Sequence, residues 1–228
     1  MNLIQKLLTY LILPLAIIGL AYACVASVMT PVNFNKQKAA REQVAIQRLK
    51  DIRSLQVAYK SVAGRYTADL DSLIMFYENG KLDVIMQVGS QDDSVAVENT
   101  KALKKKNPKI TAQEMLKLYE SGQSLVFNIK NQIPVKDTVC KRDDFCIDSI
   151  AYIPYSGGRR VFMSAVVKTV SGVKVPLFEA CMPYKALLNN MNHQLVVNLI
   201  AERTDTDRYP GLKVGSIDVP NNNAGNWE

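Results

Sequence analysis

Histidine is almost missing from this chain: His193 is the single imidazole in 228 residues. A nucleophilic triad needs a general base held against both a nucleophile and an orienting group, and around His193, in Asn-Asn-Met-Asn-His, the sequence offers neither. With four cysteines and that one histidine, a zinc site of ordinary ligand spacing is not available either. Asp143-Asp144 and Asp205-x-Asp207 supply oxygen ligands, but not the alternating positions and closing glutamate of a calcium loop. There is no Walker loop and no dinucleotide fingerprint. Ser156-Gly157-Gly158 precedes two arginines but sits between strand patterns, which makes it a hairpin turn. Eleven glycines and nine prolines exclude a collagen-like or proline-rich linker. No repeat of 20–50 residues is present, which excludes a solenoid or propeller. The expectation is a non-enzymatic chain with no cofactor and no metal.

Charge is also missing, but only locally. Residues 7–29, LLTYLILPLAIIGLAYACVASVM, hold no charged side chain over 23 positions. As a helix they span about 35 Å, enough for a hydrocarbon core of about 30 Å. Residues 1–31 are therefore an N-terminal transmembrane anchor or an uncleaved signal. A cleaved signal peptide is the alternative, with Ala21-Tyr22-Ala23 as its cleavage pattern and Cys24 as a lipidation point. Thr30-Pro31 should end or kink the helix.

Residues 32–220 read as one α+β domain and 221–228 as an unpatterned tail. From 36 to 62 apolar residues recur at helical spacing, with Val44, Leu49, Ile52, Leu55 and Tyr59 forming a candidate interaction face. Gly64 is a stop. Thr67 is a cap for a helix ending near Gly80, and residues 81–88 alternate as a strand. Residues 89–110 are polar and read as a loop or mobile insertion. Thr111-Ala-Gln-Glu114 is a capping box for a helix through Tyr119. Strand patterns follow at 125–129, 147–153, 160–170, 173–180 and 194–202, with Pro176 marking an edge. Residues 183–190 hold one or two helical turns. Helices followed by hairpin-linked strands mean α+β: an N-terminal transmembrane helix continuing to a long amphipathic helix packed on an antiparallel sheet of four to six strands.

Two local features bear on partners. Cys140 and Cys146, five residues apart, are able to close a small disulfide loop, which would imply an oxidising compartment. The positive-inside rule points the other way, since Lys36, Lys38 and Arg41 follow the apolar run. The net charge of +7 is concentrated in two segments. One is the 36–63 helix, with seven basic residues and two acids. The other is a candidate basic contact loop of Lys101, Lys104, Lys105, Lys106 and Lys109. Neither interleaves the aromatic groups used for nucleic-acid binding, so nucleic acid is an unlikely partner. Solvated surface, or contact with anionic headgroups or an acidic partner, fits better.

The stretch REQVAIQRLKDIRSLQVAYKSVAGRYTADLDSLIMF, following an apolar helix, resembles type IV pilins and type II secretion pseudopilins over roughly residues 7–80. Arg48, Asp51, Ala58, Tyr59, Gly64 and Tyr66 stand in the corresponding places. The prepilin cleavage site and its glutamate five residues on are absent, since Cys24 occupies that position after Gly19. The second half, with GLKVGSIDVPNNNAGNWE, resembles membrane-anchored envelope proteins of Bacteroidetes-type bacteria. Together these resemblances imply a single-pass protein of a bacterial inner membrane with its C-terminal domain in the periplasm. They imply a structural, scaffold or assembly role, with membrane lipid and other envelope proteins or further copies of the chain as partners. A ligand-binding periplasmic module, freed by cleavage or lipidated, is the alternative. Its pocket would lie between the sheet and residues 183–194.

Overall fold

The computed structural model describes residues 11–228. Lys6 and residues 7–10, the start of the apolar run, lie outside them. The chain is α+β, and it divides into two compact units: residues up to 53 with 148–228, and residues 54–147.

One helix, α1 (Leu13–Ala63), runs 51 residues without interruption, a length of about 76 Å. Thr30-Pro31 therefore does not end it. Proline forfeits one N–H bond to the preceding turn, but the rest of the ladder carries the helix through, and Thr30 Oγ1 donates to the Ala26 carbonyl at 2.7 Å. The helix changes character along its length. From Leu11 to Val32 every large apolar side chain is at least 48% exposed, and burial begins at Phe34. It ends at Gly64, which takes φ 72° and donates to the Lys60 carbonyl, a conformation that costs glycine little.

In the first unit, β3 (Phe162–Val170), β4 (Val173–Pro183) and β5 (Gly211–Gly215) form an antiparallel sheet in that order. The sheet has three strands rather than four to six. β4 is central, so Pro176 is not on an edge strand. The rule behind that expectation survives locally: β5 pairs only with Glu179–Pro183, and opposite Pro176 the ladder has Val167 on one side alone. Two helices follow β4. The first, α5 (Tyr184–Leu187), is a single turn. Residues 194–202, expected as a strand, lie instead in α6 (His193–Asp205). Asn192 decides this, its side chain accepting from the Leu195 N–H as a helix cap. Residues 147–153, also expected as a strand, hold a short 3-10 turn and one bridge, Tyr152 to Arg160, around the turn at Gly157-Gly158.

The tail, unpatterned in sequence, is ordered by pairing. Gly215, at φ 73°, sits where a Cβ would strike the Phe178 carbonyl. Its N–H takes the Ala224 carbonyl at 3.0 Å, and Asn226 exchanges bonds with Lys213. The core here is Ala45, Leu49 and Ile52 of α1 with Phe178, Met182, Leu187 and Val214, all fully buried or nearly so.

The second unit begins with the end of α1. α2 (Leu70–Asn79) is capped by Asp69 rather than by Thr67; the Thr67 hydroxyl instead accepts from the Asp69 N–H. β1 (Lys81–Val88) and β2 (Phe127–Pro134) make a two-stranded antiparallel ribbon. Between them lie α3 (Ser94–Lys106) and α4 (Ala112–Glu120). The capping box of α4 is formed as expected, with Thr111 and Glu114 satisfying each other's N–H groups.

Residues 89–110 are thus not a mobile loop. Asp93 caps α3 by accepting from Val95 and Ala96. Ala96, Thr100 and Leu103, spaced four and three apart, turn inward. Thr100 Oγ1 accepts from the Val126 N–H at 2.9 Å. Leu103 packs against a core of Val88, Met115, Leu125, Phe127 and Ile129.

The ribbon's register fixes which edge groups are free to pair. Lys81 faces Pro134, and one step beyond, the Val135 N–H donates to the Gly80 carbonyl at 3.0 Å. The Gly80–Val135 pair is therefore a hydrogen-bonded one, and such pairs alternate with non-bonded ones. Even-numbered residues of β1 direct their backbone groups at β2, and odd-numbered residues direct theirs outward. Pro134 accordingly occupies a position where no N–H is needed.

Candidate functional site

The helix face picked out in the sequence is mostly core. Leu49, Ile52 and Leu55 have no exposed surface, and the Tyr59 ring stands edge-on to Phe76 at 5.2 Å. Val44 alone remains open, at 40% exposure. The reason is geometric: a stripe at helical spacing serves the chain's own core before it serves a partner, and here Ala45 and Ala58 complete it. Gln56, fully buried beside the stripe, is held by Thr67 in both directions, donating to its carbonyl at 2.6 Å and accepting from its N–H at 3.2 Å.

The charged side of α1 does more than face water. Arg41 donates to the carbonyls of Leu187 at 3.2 Å and Asn189 at 2.7 Å, and its guanidinium lies 4.8 Å from the Tyr155 ring centre. Glu42 accepts from the Tyr184 hydroxyl at 2.6 Å. Arg48 donates to the Tyr152 carbonyl. Arg53 reaches the Asn223 carbonyl at 3.3 Å and the Glu228 carboxylate at 2.7 Å. These polar contacts fasten three segments of the first unit, 152–155, 184–189 and 223–228, to the helix. Both Arg41 bonds leave one nitrogen, Nη1, while the guanidinium also lies against the Tyr155 ring, a planar contact that a lysine ammonium does not reproduce.

The basic segment is helical. Lys101, Lys104, Lys105 and Lys106 lie on α3 and Lys109 in the turn after it, all exposed. Three of them fill the last turn, where positive charge opposes the helix dipole.

The disulfide allowed by spacing is not made, and Cys140 and Cys146 are both thiols. Cys140 sits at φ 57°, in a turn organised by the Arg142 N–H on its carbonyl, by Phe145 on Arg142, and by an Arg142–Asp144 ion pair. Cys181 is buried in β4, and burial with Glu179 alongside pushes its thiol up to about 12. Burial likewise raises Tyr184 and Tyr209 above their ordinary value, each with an acidic or thiol neighbour adding to it. These groups stay neutral in the folded protein and suit packing rather than catalysis.

A concave site does exist in the first unit. A groove of about 470 Å³ has an apolar wall of Leu188, Met191, Val196, Val197 and Ile200. Arg159, Lys185 and His193 stand at its rim with Asn189 and Asn190. The expected segment, 183–194, does line it, but the facing wall is α6 rather than the sheet. Its volume falls in the range of small-molecule sites. The Arg41 contacts hold the carbonyls of Leu187 and Asn189, in the turn whose residues 188–191 line the groove. Among the described residues, no group of three or more His, Cys, Asp or Glu side chains is placed to hold a metal ion. No family model, curated protein or solved structure matches the chain.

Proposed function

We propose that this chain is a single-pass bacterial envelope protein whose α+β region, pilin-like in layout and periplasmic, acts as a structural or assembly component rather than an enzyme. One observation carries the reading. A single helix exposes a continuous apolar cylinder from Leu11 to Val32, and then, from Phe34 on, is built into folded structure by Arg41, Glu42, Arg48 and Arg53. Apolar surface of that extent on a soluble protein needs a cover, and a bilayer covers such a helix along its whole length. A role in holding things together rests on what is well built here, namely the attachment of a folded body to an anchor.

Membrane fractionation of the full chain tests the anchor. Resistance to alkaline extraction with an intact N-terminus is expected; release by carbonate, or a mature start near Ala23, overturns it. Protease added to spheroplasts should digest residues beyond 40, and protection there reverses the orientation.

The groove supports a second reading, a module that binds an amphipathic anion through Arg159 and Lys185 over the apolar wall. Calorimetric titration with dodecanoate distinguishes it. Saturable binding abolished by the double change Arg159→Ala and Lys185→Ala favours the module, and absence of heat eliminates it for that class of ligand.

A further inference from the structure

We propose that β1 is the site where a second copy of this chain docks, by antiparallel pairing of β1 with β1 across a two-fold axis at Ile85. This deepens the assembly reading above and rests on it in naming the partner.

The outer edge of β1 is open. Among the described residues, no backbone hydrogen bond outside the β1–β2 ladder involves residues 82–88. From the register, the outward groups belong to Asp83, Ile85 and Gln87. Exposure follows the same stretch, with Val84 at 36%, Ile85 at 60% and Met86 at 50%. Edge strands are ordinarily blunted by lysine, proline or a bulge. β2 carries Lys130 and Pro134, β3 carries Lys168, and β1 itself opens on Lys81, but over the seven residues from Leu82 to Val88 Asp83 is the single charge.

The sequence of the strand names the occupant. A two-fold interface needs a self-complementary surface. Leu-Asp-Val-Ile-Met-Gln-Val, residues 82–88, reads apolar, polar, three apolar, polar, apolar, which is the same in both directions about Ile85. Pairing at that centre sets Ile85 against Ile85, Val84 against Met86, Asp83 against Gln87 and Leu82 against Val88. The outward-facing residues then fall opposite one another: Asp83 to Gln87, Ile85 to Ile85 and Gln87 to Asp83. An antiparallel ladder makes two bonds at each such pair. A one-residue slip would set outward groups against inward ones and polar against apolar side chains. An isolated two-stranded ribbon is marginal in water, and a second ribbon joined edge to edge makes four strands. Copies confined to one bilayer meet at raised effective concentration.

The register also supplies a selective variant. The Ile85 N–H points away from β2, so Ile85→Pro removes an outward donor while leaving the β1–β2 ladder its bonds. Ile85→Lys adds the charge that edges normally carry. The experiment uses the full chain with Cys24, Cys140 and Cys146 changed to serine, in detergent and in vesicles of phosphatidylethanolamine and phosphatidylglycerol. Ile85→Cys in that background should crosslink to covalent dimers under mild oxidation, and Lys130→Cys should not. Without the crosslinking cysteine, Ile85→Lys and Ile85→Pro should each lower the dimer fraction by about tenfold in association constant, while far-ultraviolet circular dichroism stays that of the parent. Equal crosslinking at both positions, or dimers that persist in both variants, overturns the pairing. So does a chain that stays monomeric over the concentrations reached in vesicles. A chain that enters vesicles yet never crosslinks at Ile85 refutes the docking site alone; one that fails to enter them refutes the anchor reading instead.

Discussion

Arg41 is the most informative residue to perturb, because its two acceptors are main-chain carbonyls of a single turn, those of Leu187 and Asn189. Arg41→Ala removes two charge-assisted hydrogen bonds, at 3.2 and 2.7 Å, and the stacking on Tyr155. Bonds to a charged donor contribute about 1.5–3 kcal/mol each. Arg41 is half-buried, so water recovers part of that once the side chain is gone, and a loss of about 2–4 kcal/mol is expected. The effect should be local before it is global. The amides of Leu188, Asn189 and Met191 bond within the turn that Arg41 holds, and their hydrogen-exchange protection should fall by about 30- to 1000-fold. Arg41→Lys keeps the charge but not the planar group stacked on Tyr155, and should restore about half of the loss on a logarithmic scale. Protection unchanged within about threefold in Arg41→Ala would refute the claim that the helix holds the 187–191 turn beside the groove, since the contacts would then be geometry without energy.

Other outcomes follow from the same structure. Leu49→Ala, at a position with no exposed surface, should cost about 2–5 kcal/mol in denaturant unfolding, whereas Val44→Ala should cost under about 1 kcal/mol; the reverse order would restore the stripe as an interface. The Cys181 thiol should resist maleimide at pH 8 while Cys146 is labelled, and equal rates would contradict the burial that pushes Cys181 up to about 12. That same thiol loses its proton near 9.0 when unfolded, so the unfolded state deprotonates first as pH rises. Stability should be level below about pH 9 and decline from there toward about pH 12; Cys181→Ala should flatten the decline, with Tyr184 and Tyr209 maintaining the remainder. Removing residues 221–228 deletes the bonds to Lys213 and Gly215 and should cost about 2–4 kcal/mol, read as a lower melting temperature of the truncated chain.

How much of this was legible beforehand depends on where the deciding group sits. The α4 capping box was legible because both partners, Thr111 and Glu114, are side chains at fixed spacing. The β3–β4 hairpin was legible because Ser171-Gly172 punctuates two β-rich runs. In contrast, residues 194–202 carry the β-branched Val196, Val197 and Ile200 that suit a strand, and the cap at Asn192 outweighs them. The 89–110 segment looked unstructured because its lysine run hides a three-residue inward face of Ala96, Thr100 and Leu103. The α1 contacts were illegible in principle. Apart from the side-chain pairs Glu42–Tyr184 and Arg53–Glu228, their acceptors are the carbonyls of residues 152, 187, 189 and 223, and a carbonyl has no letter of its own. Because 194–202 reads as a strand, the groove was anticipated at 183–194 with the sheet rather than α6 as its facing wall, and the open edge of β1 could be named only once the pairing register was known.

An unbroken helix keeps angular phase as well as distance. Each residue in α1 turns the chain by about 100° and advances it by about 1.5 Å. Insert one residue between Val32 and Phe34 and the folded body moves barely at all along the axis, but it presents a quite different side to whatever stands beside the apolar end. Seven inserted residues nearly return the original heading, about 20° off, while lifting the body by about 10 Å. The number of residues joining the exposed cylinder to Phe34 is therefore a setting of direction, and a ladder of insertions would separate contacts that need a particular heading from those that need only reach.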